Sequence, residues 1–143
     1  MKTALIFILC LAAAHCIDLK EFGDEFVQKT KKLHDLCVAK INVTDSEIEQ
    51  FKEGVYSVQN KLFKEYIACL WLESKAVDEN LNVHEDVVKN FLPPSKTGHL
   101  APAYVACIKL VKKTVPANTP VEEKFFLISN CVYFRNPEDW IFF

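Results

Sequence analysis

Four cysteines, Cys37, Cys69, Cys107 and Cys131, stand far apart behind an apolar leader, and they limit the available folds more than any other feature of the chain. The leader, MKTALIFILCLAAAHC, combines Lys2, an apolar run from Ala4 to Leu11 and small residues at Ala14 and Cys16. That is the order of a secretory signal peptide over residues 1–16, cleaved between Cys16 and Ile17. The run is too short for a membrane anchor, which needs about 20 apolar residues, and no later run is long enough to span a bilayer. Cleavage removes Cys10 and Cys16 and leaves an even number of cysteines in an oxidising compartment, so two disulfides are expected. The competing use is a zinc site. It would need a C-x-x-C pair or a cysteine and histidine at ligand spacing, and neither occurs, so no metal is expected. Four cysteines allow three connectivities, and the sequence alone does not choose among them.

The elements between the cysteines read as helices. Only three glycines occur, Gly23, Gly54 and Gly98, and no Asn-Gly or Asp-Gly separates alternating apolar runs, so hairpins have little support. Phe22, Phe26, Leu33 and Cys37 recur near helical spacing, predicting a first helix over about 18–39. Thr44 and Glu47 in TDSEIEQF form a capping box that opens a second helix with Ile48, Phe51 and Val55 on its apolar side. A third is predicted over about 60–74. VHEDVVKNFLPP predicts a fourth, stopped by Pro93 and Pro94. Pro102 suits the first turn of a fifth, AYVACIKLVKKT, whose basic end complements the helix dipole. A sixth follows Pro120, from Val121 to about Phe134, and Pro137 begins a tail ending Trp140, Ile141, Phe142 and Phe143. Residues 17–143 therefore form one all-α domain.

The segment KKLHDLCVAK raises an enzymatic reading, because secreted phospholipases A2 use a His-Asp-x-Cys helix. His34 would activate water and Asp35 would hold calcium. Such a site also needs a glycine-rich calcium loop and a cysteine pair just upstream, where this chain has Thr30 and Lys31. There is no G-x-S-x-G elbow and no P-loop either. No catalytic residue is assigned, and His34 and Asp35 are expected on a wet helix face. Loss of Lys2 with the leader leaves 16 basic against 19 acidic residues, a charge near −3. No basic tract points to nucleic acid.

The cysteine spacing, six short helices and a leader together resemble the insect odorant-binding proteins, the PBP/GOBP family, and in particular the four-cysteine branch called C-minus. In the six-cysteine pattern three residues separate the second and third cysteines, and eight separate the fifth and sixth. With Cys69 as the third and Cys131 as the sixth, the absent pair falls at Glu65 and Glu122. EYIACLWLE is similar to the family's third-helix segment, and EEKFFLISNC to its sixth. The absent cysteines are partners in the family, so one whole disulfide is missing and no thiol is orphaned.

The resemblance implies a compact bundle of about six short helices around an internal hydrophobic cavity, with Cys37 bonded to Cys69 and Cys107 to Cys131. It implies a secreted, extracellular carrier that reversibly binds a small hydrophobic ligand, an odorant, pheromone or fatty-acid-like molecule, without cofactor. A membrane receptor would receive the ligand, and the carrier would be a monomer or weak homodimer. The same fold also serves outside olfaction, in haemolymph, saliva or seminal fluid, as a scavenger or effector. Burying apolar ligand surface is worth about 25 cal/mol per Å², and a few polar groups orient it. The candidate lining is Phe51, Val55, Leu70, Trp71, Val88, Phe91, Tyr104, Ile108, Val111, Phe125, Phe126 and Tyr133. Trp140 and Phe142 are expected to close over the cavity, since a tail this apolar is costly to expose. Glu65 and Glu122 would repel if held at disulfide distance. We therefore expect the third and sixth helices to splay so that both carboxylates reach water, in preference to remaining close with a shared proton or a lysine such as Lys61 between them. Asn42-Val43-Thr44 is a glycosylation sequon. His84 and His99 are candidates for a pH response, histidine being the side chain whose charge ordinarily changes near neutral pH.

Overall fold

The computed structural model describes residues 22–52 and 60–139. Its elements are α1 (Asp24–Ile41), α2 (Asp45–Lys52), α3 (Lys61–Glu73), α4 (Glu85–Asn90), α5 (Thr97–Thr114) and α6 (Val121–Arg135), then a 3₁₀ turn, Pro137–Asp139. Among the described residues there is no β-strand, only an isolated bridge between Val77 and Val83. No helix among them is long and apolar enough to cross a membrane. The fold is all-α, with six helices among the described residues.

The ends of the helices follow local chemistry. Gly23, at φ 82°, stands outside α1, so the helix begins later than its apolar spacing predicts. Asn42 ends α1 in the left-handed conformation, φ 57°, its amide bonded to the Val38 carbonyl, a conformation asparagine tolerates well. The capping box closes as expected. The Glu47 carboxylate accepts from the Thr44 amide at 2.9 Å, and the Glu47 amide donates to Thr44 Oγ1 at 3.3 Å. Asn60 caps α3 by accepting from the Phe63 amide at 3.2 Å.

One expectation is corrected here. Pro102 does not sit in the first turn of α5; the helix begins at Thr97 and carries Pro102 inside it. Pro102 cannot donate to the carbonyl of Gly98, which is exposed and open to water. Leu100 and Ala101 become buried in the added turn. The Thr97 hydroxyl and amide both bind the Pro93 carbonyl, at 2.8 and 3.0 Å. This packing outweighs a local proline preference.

Helix α3 lies between α1 and α6; α6 also packs on α5, and α5 on α4. Its pattern explains its place. Phe63, Tyr66, Ile67 and Cys69 are all buried. The Cys37–Cys69 bridge ties α1 to α3, and Cys107–Cys131 ties α5 to α6, each with a Cα–Cα distance of 5.8 Å. Closing loops of this length contributes roughly 3–4 kcal/mol apiece in the chain-entropy model.

No disulfide joins α3 to α6, and the expected splaying does not occur. The Phe63 and Phe126 rings meet edge to face at 6.2 Å, and Lys64 pairs with Glu123 across the seam. Glu65 pairs with Lys61 one turn back at 3.3 Å. Aromatic packing holds the helices together, Lys61 pairs with Glu65, and Glu65 and Glu122 both keep partial contact with water.

Candidate functional site

Three aromatic residues, Trp71, Tyr104 and Phe125, join α3, α5 and α6. Trp71, near the end of α3, stacks on Phe125 of α6, with ring centroids 6.2 Å apart and planes 17° apart. It also meets Tyr104 of α5 at 5.4 Å. Its indole N–H donates to Ser129 Oγ at 3.3 Å, which accounts for a buried serine on an otherwise apolar face. Phe125 and Ser129 lie one helical turn apart and therefore face the same neighbour.

Tyr104 differs from its surroundings. Desolvation by its neighbours raises the phenol's pKa above the ordinary tyrosine value. The side chain nevertheless keeps some accessible surface. Among the described residues nothing hydrogen-bonds its hydroxyl.

The remaining candidates divide. Ile108 and Val111 are buried on α5, and Val88 on α4. Leu70 is partly buried against the core beside Trp71. Phe126 points away from Phe125, toward Phe63, with the Lys64 ammonium 4.9 Å from its ring centre. Phe91, just past α4, lies under the Lys29 ammonium at 4.6 Å, at the α1 side. Tyr133 is half-buried beside the exposed Phe134. Val55, Trp140, Phe142 and the Phe51 side chain lie outside the described residues. The leader, with Cys10 and Cys16, does so too.

His34 corrects the sequence reading. It is half-buried, and its Nδ1 lies 2.7 Å from the hydroxyl of fully buried Tyr66. Asp35 remains on the wet face, paired with Lys31 at 2.6 Å. An imidazole engaged with Tyr66, beside a carboxylate engaged with lysine, is a packing arrangement. Tyr66, Phe63 and Ser129 were absent from the candidate set; the first two were legible as the i, i+3 stripe of α3. Asn42 is exposed at its helix end. Exposed His84 precedes α4, its amide donating to the Ala76 carbonyl at 2.8 Å. His99 and Lys96 both bind Asp139, which fastens the 3₁₀ turn to the start of α5.

A helical bundle with an aromatic cluster at its centre and two cross-linked helix pairs is the setting for comparison with known proteins. The model of the PBP/GOBP family matches residues 19–134. The chain belongs to the PBP/GOBP family. Its members are small odorant- or pheromone-binding proteins, carriers by family and not enzymes.

Proposed function

We propose that this protein is a secreted carrier that takes up a small hydrophobic ligand reversibly in an interior space walled by α3, α5 and α6. Residues 1–16 would be removed on secretion, leaving the four-cysteine form of the family. The observation that supports the reading is the aromatic cluster in which Trp71 stacks on Phe125 and meets Tyr104, joining α3, α5 and α6. Leu70, Trp71, Tyr104, Ile108, Val111 and Phe125 form the wall nearest that space. Val88 extends the apolar interior, and Val55, Trp140, Phe142 and the Phe51 side chain lie outside the described residues. The driving force is removal of ligand surface from water, which needs no reactive group.

The test is extraction. Organic extraction of the secreted protein, followed by mass spectrometry, is expected to yield an apolar small molecule at up to one per chain. Titration of delipidated protein with an apolar volatile should change the fluorescence of Trp71. Protein that emerges empty and binds neither alkanes, ketones nor fatty acids overturns the carrier reading.

A further inference from the structure

Asn42-Val43-Thr44 is the sole Asn-x-Ser/Thr sequence of the chain, and its middle residue is not proline. It forms the corner between α1 and α2. Asn42 ends α1 with φ 57°, and its backbone amide closes the helix by donating to the Val38 carbonyl at 2.8 Å. The carboxamide is not needed for that cap, and the residue is exposed. Val43 turns inward, only 5% exposed, and Thr44 is exposed again. One buried valine therefore pins the corner, with both polar residues of the motif open to water.

We propose that Asn42 carries an N-linked oligosaccharide in the secreted protein. This rests on secretion and is independent of the interior site, since Trp71, Tyr104 and Phe125 lie on other helices. The Asn42 Nδ2 bonds to the anomeric carbon of the first sugar of a lipid-linked diphospho-oligosaccharide. The bond from that carbon to the diphosphate oxygen breaks, the amide nitrogen gives up one proton, and the lipid diphosphate leaves. The folded corner accepts the product, because a bulky hydrated group on an exposed helix end displaces no packed side chain. The structure also orders the events. The motif requires a hydroxyl two residues after the asparagine. In the folded domain that hydroxyl is committed to Glu47, donating to its carboxylate at 2.8 Å and accepting from its amide at 3.3 Å. Transfer therefore precedes closure of the capping box. Cys37 precedes the motif and its partner Cys69 follows it, so the acceptor is also presented before the bridge that anchors α1 can close.

The experiment expresses the full chain with its leader in cultured insect cells. Protein from the medium is weighed by intact mass spectrometry before and after a peptide glycoamidase. The unaltered protein is expected to lose the mass of one oligosaccharide, with Asn42 converted to aspartate in the peptide map. Asn42→Asp, which still tolerates the left-handed cap, should be secreted without sugar. Thr44→Ser should keep the sugar, and Thr44→Ala should lose it although Asn42 is intact. In a second measurement, detergent-solubilised microsomal membranes are offered unmodified mature chain, either folded and disulfide-bonded or reduced and unfolded. The unfolded chain should accept oligosaccharide and the folded one should not; equal transfer to both overturns the order of events. Secreted protein with the bare mass of its chain, or with sugar on a minority of molecules, overturns the inference and leaves the carrier reading standing. Absence of the chain from the medium overturns secretion, and this inference with it.

Discussion

Besides the Cys107–Cys131 bridge to α5, helix α6 is held at two places by opposite means. Along the α3 seam it is gripped by apolar contact: Phe125 and Phe126 are buried against Trp71 and Phe63. At its far end the chain turns through Pro137–Asp139, and Asp139 is fastened by Lys96 and His99 of the α5 start. The seam has no covalent brace where the six-cysteine pattern would place one, and packing replaces it. The turn has almost no apolar surface to bury, and charge replaces packing. Burial is insensitive to pH and salt, whereas partly exposed ion pairs are weak and screened. The seam therefore sets stability, and the turn is free to respond to conditions.

The largest expected effect attacks the seam. Phe126→Ala removes a fully enclosed ring and should cost about 3–5 kcal/mol, read from the shift in denaturant midpoint. A loss below about 1 kcal/mol would show that the seam is not what holds α6. The second test restores the missing brace. Glu65→Cys with Glu122→Cys should form a third disulfide and add about 2–4 kcal/mol. Two free thiols persisting under oxidising conditions would refute the placement of the absent cysteine pair at these positions.

A smaller effect belongs to the α2 start, away from both regions. Thr44→Ala removes a capping side chain and should cost about 1 kcal/mol, seen as faster amide exchange in α2. The smallest concerns the turn. Hydrogen bonds from Lys96, then from His99, hold the Asp139 carboxyl below its ordinary 3.8. A depressed carboxylate stabilises above its unfolded value and ceases to as pH falls from about 3.8 through the lower folded value. Acidification across that window, or Asp139→Asn at neutral pH, should release the turn for less than about 1 kcal/mol, seen as protease sensitivity near residue 137. The α3–α6 seam should persist under the same conditions. Simultaneous loss of both would show that the two regions are one cooperative unit.

Helix number and type were legible because they depend on neighbours a few residues apart. Period-3.6 burial in α3 and the Thr44–Glu47 box are written in consecutive letters. The candidate site was legible only in part. Trp71, Tyr104 and Phe125 were named as apolar helical residues, on the same grounds as Phe126 and Tyr133, which face elsewhere. Nothing in a single helix records which of two adjacent phenylalanines meets a tryptophan fifty positions away.

By itself the sequence determined an all-α chain with cysteines placed one to a helix, and the residues that cap and break those helices. Capping and periodicity are short-range effects, so they survive without tertiary context. Only the tertiary structure decided that α3 and α6 stay together despite Glu65 and Glu122, that α5 runs through Pro102, and that His34 turns inward to Tyr66. In each case burial of large apolar surface between distant segments outweighed a local preference worth a few kcal/mol at most.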